Sequence, residues 1–137
     1  MKIINRLNQE KENMKTTEPT CEDRIDEYLA TVSGDIKEMY KADIENGGGG
    51  YDPHYALHID VVVDENGTPE YGQFLMSWGG PSDELAFYHD GTIKYVFKDW
   101  FDVAERDVTE HDWAQWLKHE LISNHPRFFS YLHFGSC

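Results

Sequence analysis

The chain predicts an α+β fold: a long N-terminal helix, a four-stranded antiparallel meander sheet and a C-terminal helix, packed as two layers in one domain. Three observations predict it. Apolar residues from Ile25 to Ile44 recur with a helical period. Between Tyr55 and Trp100 the period falls to two, and the turns are short enough to force antiparallel neighbours. After Thr109 the helical period returns with Trp113, Trp116, Leu117 and Leu121.

Residues 1–19 are polar and aperiodic and are expected to form a flexible tail before a single acidic domain at 20–137. Thr20 is the expected N-cap of the first helix, and Glu22 and Asp23 suit the positive end of its dipole. Ile25, Tyr28, Leu29, Val32, Ile36, Met39, Tyr40 and Ile44 make its apolar stripe. Gly34 interrupts the stripe and is a place for a kink. "NGGGG", Asn46 to Gly50, ends the helix.

The first strand is expected from Tyr55 to Val63 and turns at "DENG", Asp64 to Gly67. The second runs from Tyr71 to Trp78, with Phe74, Met76 and Trp78 inward and Trp78 anchored in the core. Gly79 to Glu84 read as a turn, Leu85 to His89 as the third strand, and "HDG" as the next turn. The fourth strand spans Thr92 to about Trp100. Thr109, three residues before Asp112, resembles a capping box for the last helix. "PRFFSYLHF", Pro126 to Phe134, is too aromatic for a free tail, so it packs back as a short helix or an added strand.

The 137 residues suit one core, and four Trp, eight Tyr and seven Phe can fill it without disulfides. Cys21 and Cys137 lie far apart and match no metal or disulfide spacing, so both are expected as reduced thiols. The start lacks an apolar run of signal-peptide length, and a cytoplasmic location is expected.

Charge is the outstanding property, at −14 net. Residues 1–25 sum to zero, while residues 26–137 carry 21 acidic against seven basic side chains. Such a field repels nucleic acid and anionic membrane and attracts basic protein surfaces. A DNA-binding role is disfavoured further, because no basic stripe exists outside the tail to neutralise phosphates, and the tail's Lys2, Arg6, Lys11 and Lys15 are balanced by nearby acids.

Catalytic and metal signatures are weak. Gly79-Gly80 could cradle a phosphate only at the start of a helix; here a strand follows, Pro81 removes a donor, and Asp83 and Glu84 add negative charge. They read instead as a turn whose tip is anionic. His54, His58 and Asp60, expected on one strand face, make a thin metal-hydrolase candidate without a recognised spacing. "KDWFDVAERD" holds Asp99, Asp102, Glu105 and Asp107, which read as a solvated, capped connection. No serine or cysteine stands in a nucleophile elbow. No enzyme activity, cofactor or metal is expected.

The short acidic chain, its "SWGGPSDE" and "KYVFKDWFD" segments and its Trp-bearing last helix resemble small phage and mobile-element proteins, some of them anti-CRISPR or anti-restriction inhibitors. The likeness covers roughly residues 70–121 and transfers no functional residue by position. It implies a non-enzymatic inhibitor of a nucleic-acid-binding protein or ribonucleoprotein, in some cases by DNA mimicry. Two sets of carboxylates would face the partner's basic groove. Asp26, Glu27, Asp35, Glu38 and Glu45 lie along the first helix. Asp64, Glu65, Glu70, Asp83, Glu84 and Asp90 lie in or beside turns. Trp100 and Phe101, on a connecting loop, would be aromatic anchors.

Overall fold

The computed structural model describes residues 20–134. The expected tail at 1–19 and Cys137 lie outside them.

Helix α1 spans Cys21–Asn46. Its start is a full capping box: the Thr20 hydroxyl accepts from the Asp23 N–H at 3.1 Å, and the Asp23 carboxylate accepts from the Thr20 N–H at 3.1 Å. It runs unbroken through Gly34, which lies on the solvent side, so the expected kink is absent. Gly47 ends it in the left-handed region, φ 68°, where a Cβ would be strained.

The sheet has five strands, not the four expected, in the order β1-β2-β3-β4-β5 with every neighbour antiparallel. They are β1 His58–Val63, β2 Pro69–Ser77, β3 Pro81–Phe87, β4 Ile93–Asp99 and β5 Asp102–Asp107. Ile59, Phe74, Leu85 and Tyr95 are paired in a row across β1 to β4. With Phe87, Ile93 and Phe97 they meet Cys21, Ile25, Val32 and Ile36 of α1 in one core.

β5 escaped notice because its helix-facing residues are mostly not apolar. Asp102 accepts from the Cys21 N–H at 2.7 Å, Arg106 pairs with Glu22 at 2.7 Å and Asp26 at 3.0 Å, and only Ala104 between them is buried carbon. Polar alternation replaces hydrophobic alternation where a strand packs on the capped end of a helix. β1 likewise begins three residues later than expected. Tyr55, Ala56 and Leu57 precede it, and Tyr55 hydrogen-bonds to Asp35 at 2.8 Å.

Helices α2 (Asp112–Asn124) and α3 (Pro126–Phe134) close the layer. The N-cap of α2 is His111 rather than Thr109. The Thr109 hydroxyl is used elsewhere, accepting from the Ile93 N–H at 2.9 Å and extending the sheet end. α2 contributes Trp113, Ala114, Leu117 and Leu121 to the core. The last aromatic segment takes the helical alternative, and its Phe128 is fully buried against Phe87.

Candidate functional site

An irregularity in β2 decides where the exposed aromatic side chains go. The register with β3 shifts between Leu75 and Ser77, so one residue is extra on β2. Past a bulge the facing parity reverses. Ser77, not Trp78, turns to the helix side, where its hydroxyl meets the Asp83 carboxylate at 2.5 Å. Trp78 is thrown to the other side and is 77% exposed, which corrects the expectation of a core anchor.

β3 begins at Pro81, so the turn is confined to Trp78, Gly79 and Gly80. Asp83 and Glu84 are therefore strand residues, only 6% and 5% exposed, and not an anionic tip offered to a partner. Asp83 faces the helices and accepts from the Tyr95 hydroxyl at 2.6 Å and the Ser77 hydroxyl. Glu84 faces the open side and accepts from the Gln73 amide at 2.9 Å. Burial, and then hydrogen bonding to the Glu84 carboxylate, push the Tyr71 phenol above its ordinary value.

The hairpin joining β4 to β5 has a two-residue loop, Trp100-Phe101, between the paired Asp99 and Asp102. Trp100 is the one described non-glycine residue with positive φ, at 58°. Positive φ at the first loop position is the glycine site of a type II′ turn. A left-handed tryptophan there costs about 1–2 kcal/mol. Trp100 is 84% exposed and Phe101 fully exposed, so core packing does not offset that cost.

The β2–β3 and β4–β5 turns lie at the same sheet end, because two antiparallel steps separate them. Between them is a groove of 620 Å³ on the open sheet face, lined by Trp78 to Gly80, Trp100, Gln73, Leu75, Ser82, Glu84 and Lys98. The groove thus has two indole walls, a carboxylate–amide floor and one ammonium at the rim.

The α1 carboxylates divide. At about 100° and 1.5 Å per residue, Glu27, Glu38 and Glu45 fall on one outward line, spaced about 16 and 10 Å. All three are exposed. Asp26 is turned to one flank, engaged by Arg106, and Asp35 to the other, holding Tyr55. The second expected set also divides. Asp64 accepts from the Asn66 and Thr68 N–H groups at 2.8 and 2.9 Å. Asp90 accepts from the Thr92 N–H at 2.9 Å, which lowers its pKa. With Glu65 and Glu70 they stand at the sheet end opposite Trp78 and Trp100.

His54 lies in the turn before β1, not on the strand with His58. The Asp60 carboxylate is engaged by Arg127 at 2.9 Å. Among the described residues, no group of three or more His, Cys, Asp or Glu is placed to hold a metal. No described helix is long and apolar enough to cross a membrane.

Comparison with protein families, with curated proteins and with solved structures gives no match for this chain. The sequence marks Trp100 and Phe101 as loop anchors but assigns Trp78 to the core, because the groove between Trp78 and Trp100 depends on a bulge and on a strand that polar residues disguise. The groove's one legible signal was "DWFD", two aromatic residues between turn-forming acids.

Proposed function

We propose that this chain is a non-enzymatic acidic inhibitor that covers the basic, nucleic-acid-binding surface of a partner protein or ribonucleoprotein, in the manner of anti-CRISPR and anti-restriction proteins. The observation that carries this reading is the outward line of Glu27, Glu38 and Glu45 on a capped 26-residue helix, with no ion pair to any of the three among the described residues. Lys37 and Lys41 are exposed on the same helix, with Lys41 one turn from both Glu38 and Glu45, so the line draws its attraction from the net −14 of the whole molecule as well as from its own three carboxylates.

The line is sparser than a phosphate backbone, which carries a charge about every 3.4 Å per strand. The contact is therefore with scattered cations of a groove, not a copy of DNA phosphate by phosphate. Long-range attraction brings the partner in, and salt weakens it.

The test is capture of host proteins on immobilised protein, followed by elution with salt or with duplex DNA. The reading expects a nucleic-acid-binding partner released by both, and lost with the Glu27→Gln/Glu38→Gln/Glu45→Gln variant. A partner that survives high salt and ignores DNA sinks it.

A second reading, an interaction module working through its aromatic loops, is favoured by the exposure of Trp100 and Phe101. It predicts that Trp100→Ala/Phe101→Ala abolishes capture while the triple Gln variant retains it.

A further inference from the structure

We infer that the groove between Trp78 and Trp100 binds an arginine side chain presented by a basic partner surface. This rests on the proposed inhibitor role only for the partner's identity; the groove's chemistry stands separately.

Four features converge. Two exposed indoles wall one groove, and tryptophan is the ring that attracts a cation best. The floor holds Glu84, a carboxylate 5% exposed and fixed by Gln73. Its two oxygens offer about four acceptor sites, and the Gln73 amide and the Tyr71 hydroxyl use two of them, which leaves two for a guanidinium fork. Trp100 keeps a backbone conformation suited to glycine, although its ring is spent on solvent rather than core. The molecule's net charge of −14 favours a cation over an anion or a neutral ring.

Lys98 is the opposing feature. Its ammonium lines the rim and makes no ion pair among the described residues. It sits on a flexible stem and can turn to water when a guanidinium enters. That gives the proposal a sign: an arginine ligand binds better without Lys98, whereas an anion binds worse.

The test uses the whole protein and a blocked tri-arginine peptide, read by NMR at the Trp78 and Trp100 indole N–H groups. Tri-lysine, tri-glutamate and a neutral glucose oligomer are the comparisons. The expected result is a saturable shift of both indoles, strongest with tri-arginine. Glu84→Gln weakens it about tenfold, the scale of a lost charged hydrogen bond. Lys98→Ala strengthens it several-fold. Trp100→Gly raises Tm by a few degrees and abolishes the shift, so loss of binding is separated from loss of fold. Trp78→Ala abolishes it independently. The proposal is overturned if no saturable shift occurs, if tri-glutamate or the sugar binds tighter, or if Lys98→Ala weakens tri-arginine. Because no partner is needed, failure here leaves the α1 carboxylate line untouched, and failure of the triple Gln variant to lose its partner leaves the groove untouched.

Discussion

The ring of Phe128 fills the space in which a side chain at Gly72 would begin: a Cβ there would lie 2.7 Å from the ring edge. Gly72 is thus a close-approach glycine inside a strand. Gly72→Ala should cost about 1–3 kcal/mol by overpacking. Phe128→Ala should cost about 3–5 kcal/mol as a cavity. The double variant should be more stable than their sum predicts, because the removed ring is what the new methyl strikes. Urea unfolding of the three variants checks this, and strict additivity would disprove the contact.

The Asp83 carboxylate is buried between the Ser77 and Tyr95 hydroxyls. Tyr95→Phe removes one donor and leaves an acceptor underserved in the core. The expected loss is about 1–3 kcal/mol, seen as a lower denaturant midpoint with an unchanged slope. Ser77→Ala should act in the same direction. An unchanged midpoint for both would mean that water replaces these donors.

Stability should fall at high pH. Burial raises the phenols of Tyr51, Tyr55, Tyr71 and Tyr95 above their ordinary value of 10.0. The folded state then keeps protons that the unfolded chain releases near 10. Their contribution is fully present below that pH and is lost as pH rises above it. On the acid side, burial lowers His125, whose ring meets the Tyr51 hydroxyl at 2.8 Å, below its ordinary 6.5. The unfolded chain takes that proton first, so this contribution is present above 6.5 and fades as pH falls. Tm measured across pH should decline at both ends. Tyr95→Phe should flatten the alkaline limb and His125→Gln the acid one.

The Cys21 thiol is buried, and burial ahead of the Asp102 charge pushes its pKa up. In a Cys137→Ser background, alkylation of Cys21 should be slow in native buffer and fast in denaturant. Fast native labelling would show that the start of α1 opens readily.

The helices and the meander were legible because periodicity reports which face is apolar, and most of the core is apolar carbon. Thr20 and Asp23 announced the helix start because a capping box is local chemistry. Legibility failed where faces are set by something else. The β2 bulge sends Trp78 outward against its parity, and Asp83, read as a turn acid, is a core acid satisfied by residues distant in sequence. β5 hides because Asp102 and Arg106 face a helix terminus rather than carbon. The two-residue Trp100-Phe101 loop carried no glycine to mark it as a hairpin. Trp100 and Phe101 are legible as exposed loop aromatics, while the tight hairpin that holds them is not, because Trp100 takes a backbone conformation that usually announces itself by glycine.

The sheet joins only strands that follow one another, so it can zip hairpin by hairpin with short loops to close. The clasp between α1 and β5 is different in kind: Cys21 meets Asp102 across 81 positions, Asp26 meets Arg106 across 80, and Arg24 meets Asp99 across 75. Contacts of such high sequence separation are expected to form late, after the meander has shortened the loop they close. Arg24→Ala and Asp102→Ala should therefore speed unfolding and leave the folding rate nearly unchanged in a chevron plot. The clasp would then set the lifetime of the folded protein, and with it how long the Trp100 loop, covalently next to Asp99 and Asp102, keeps its shape.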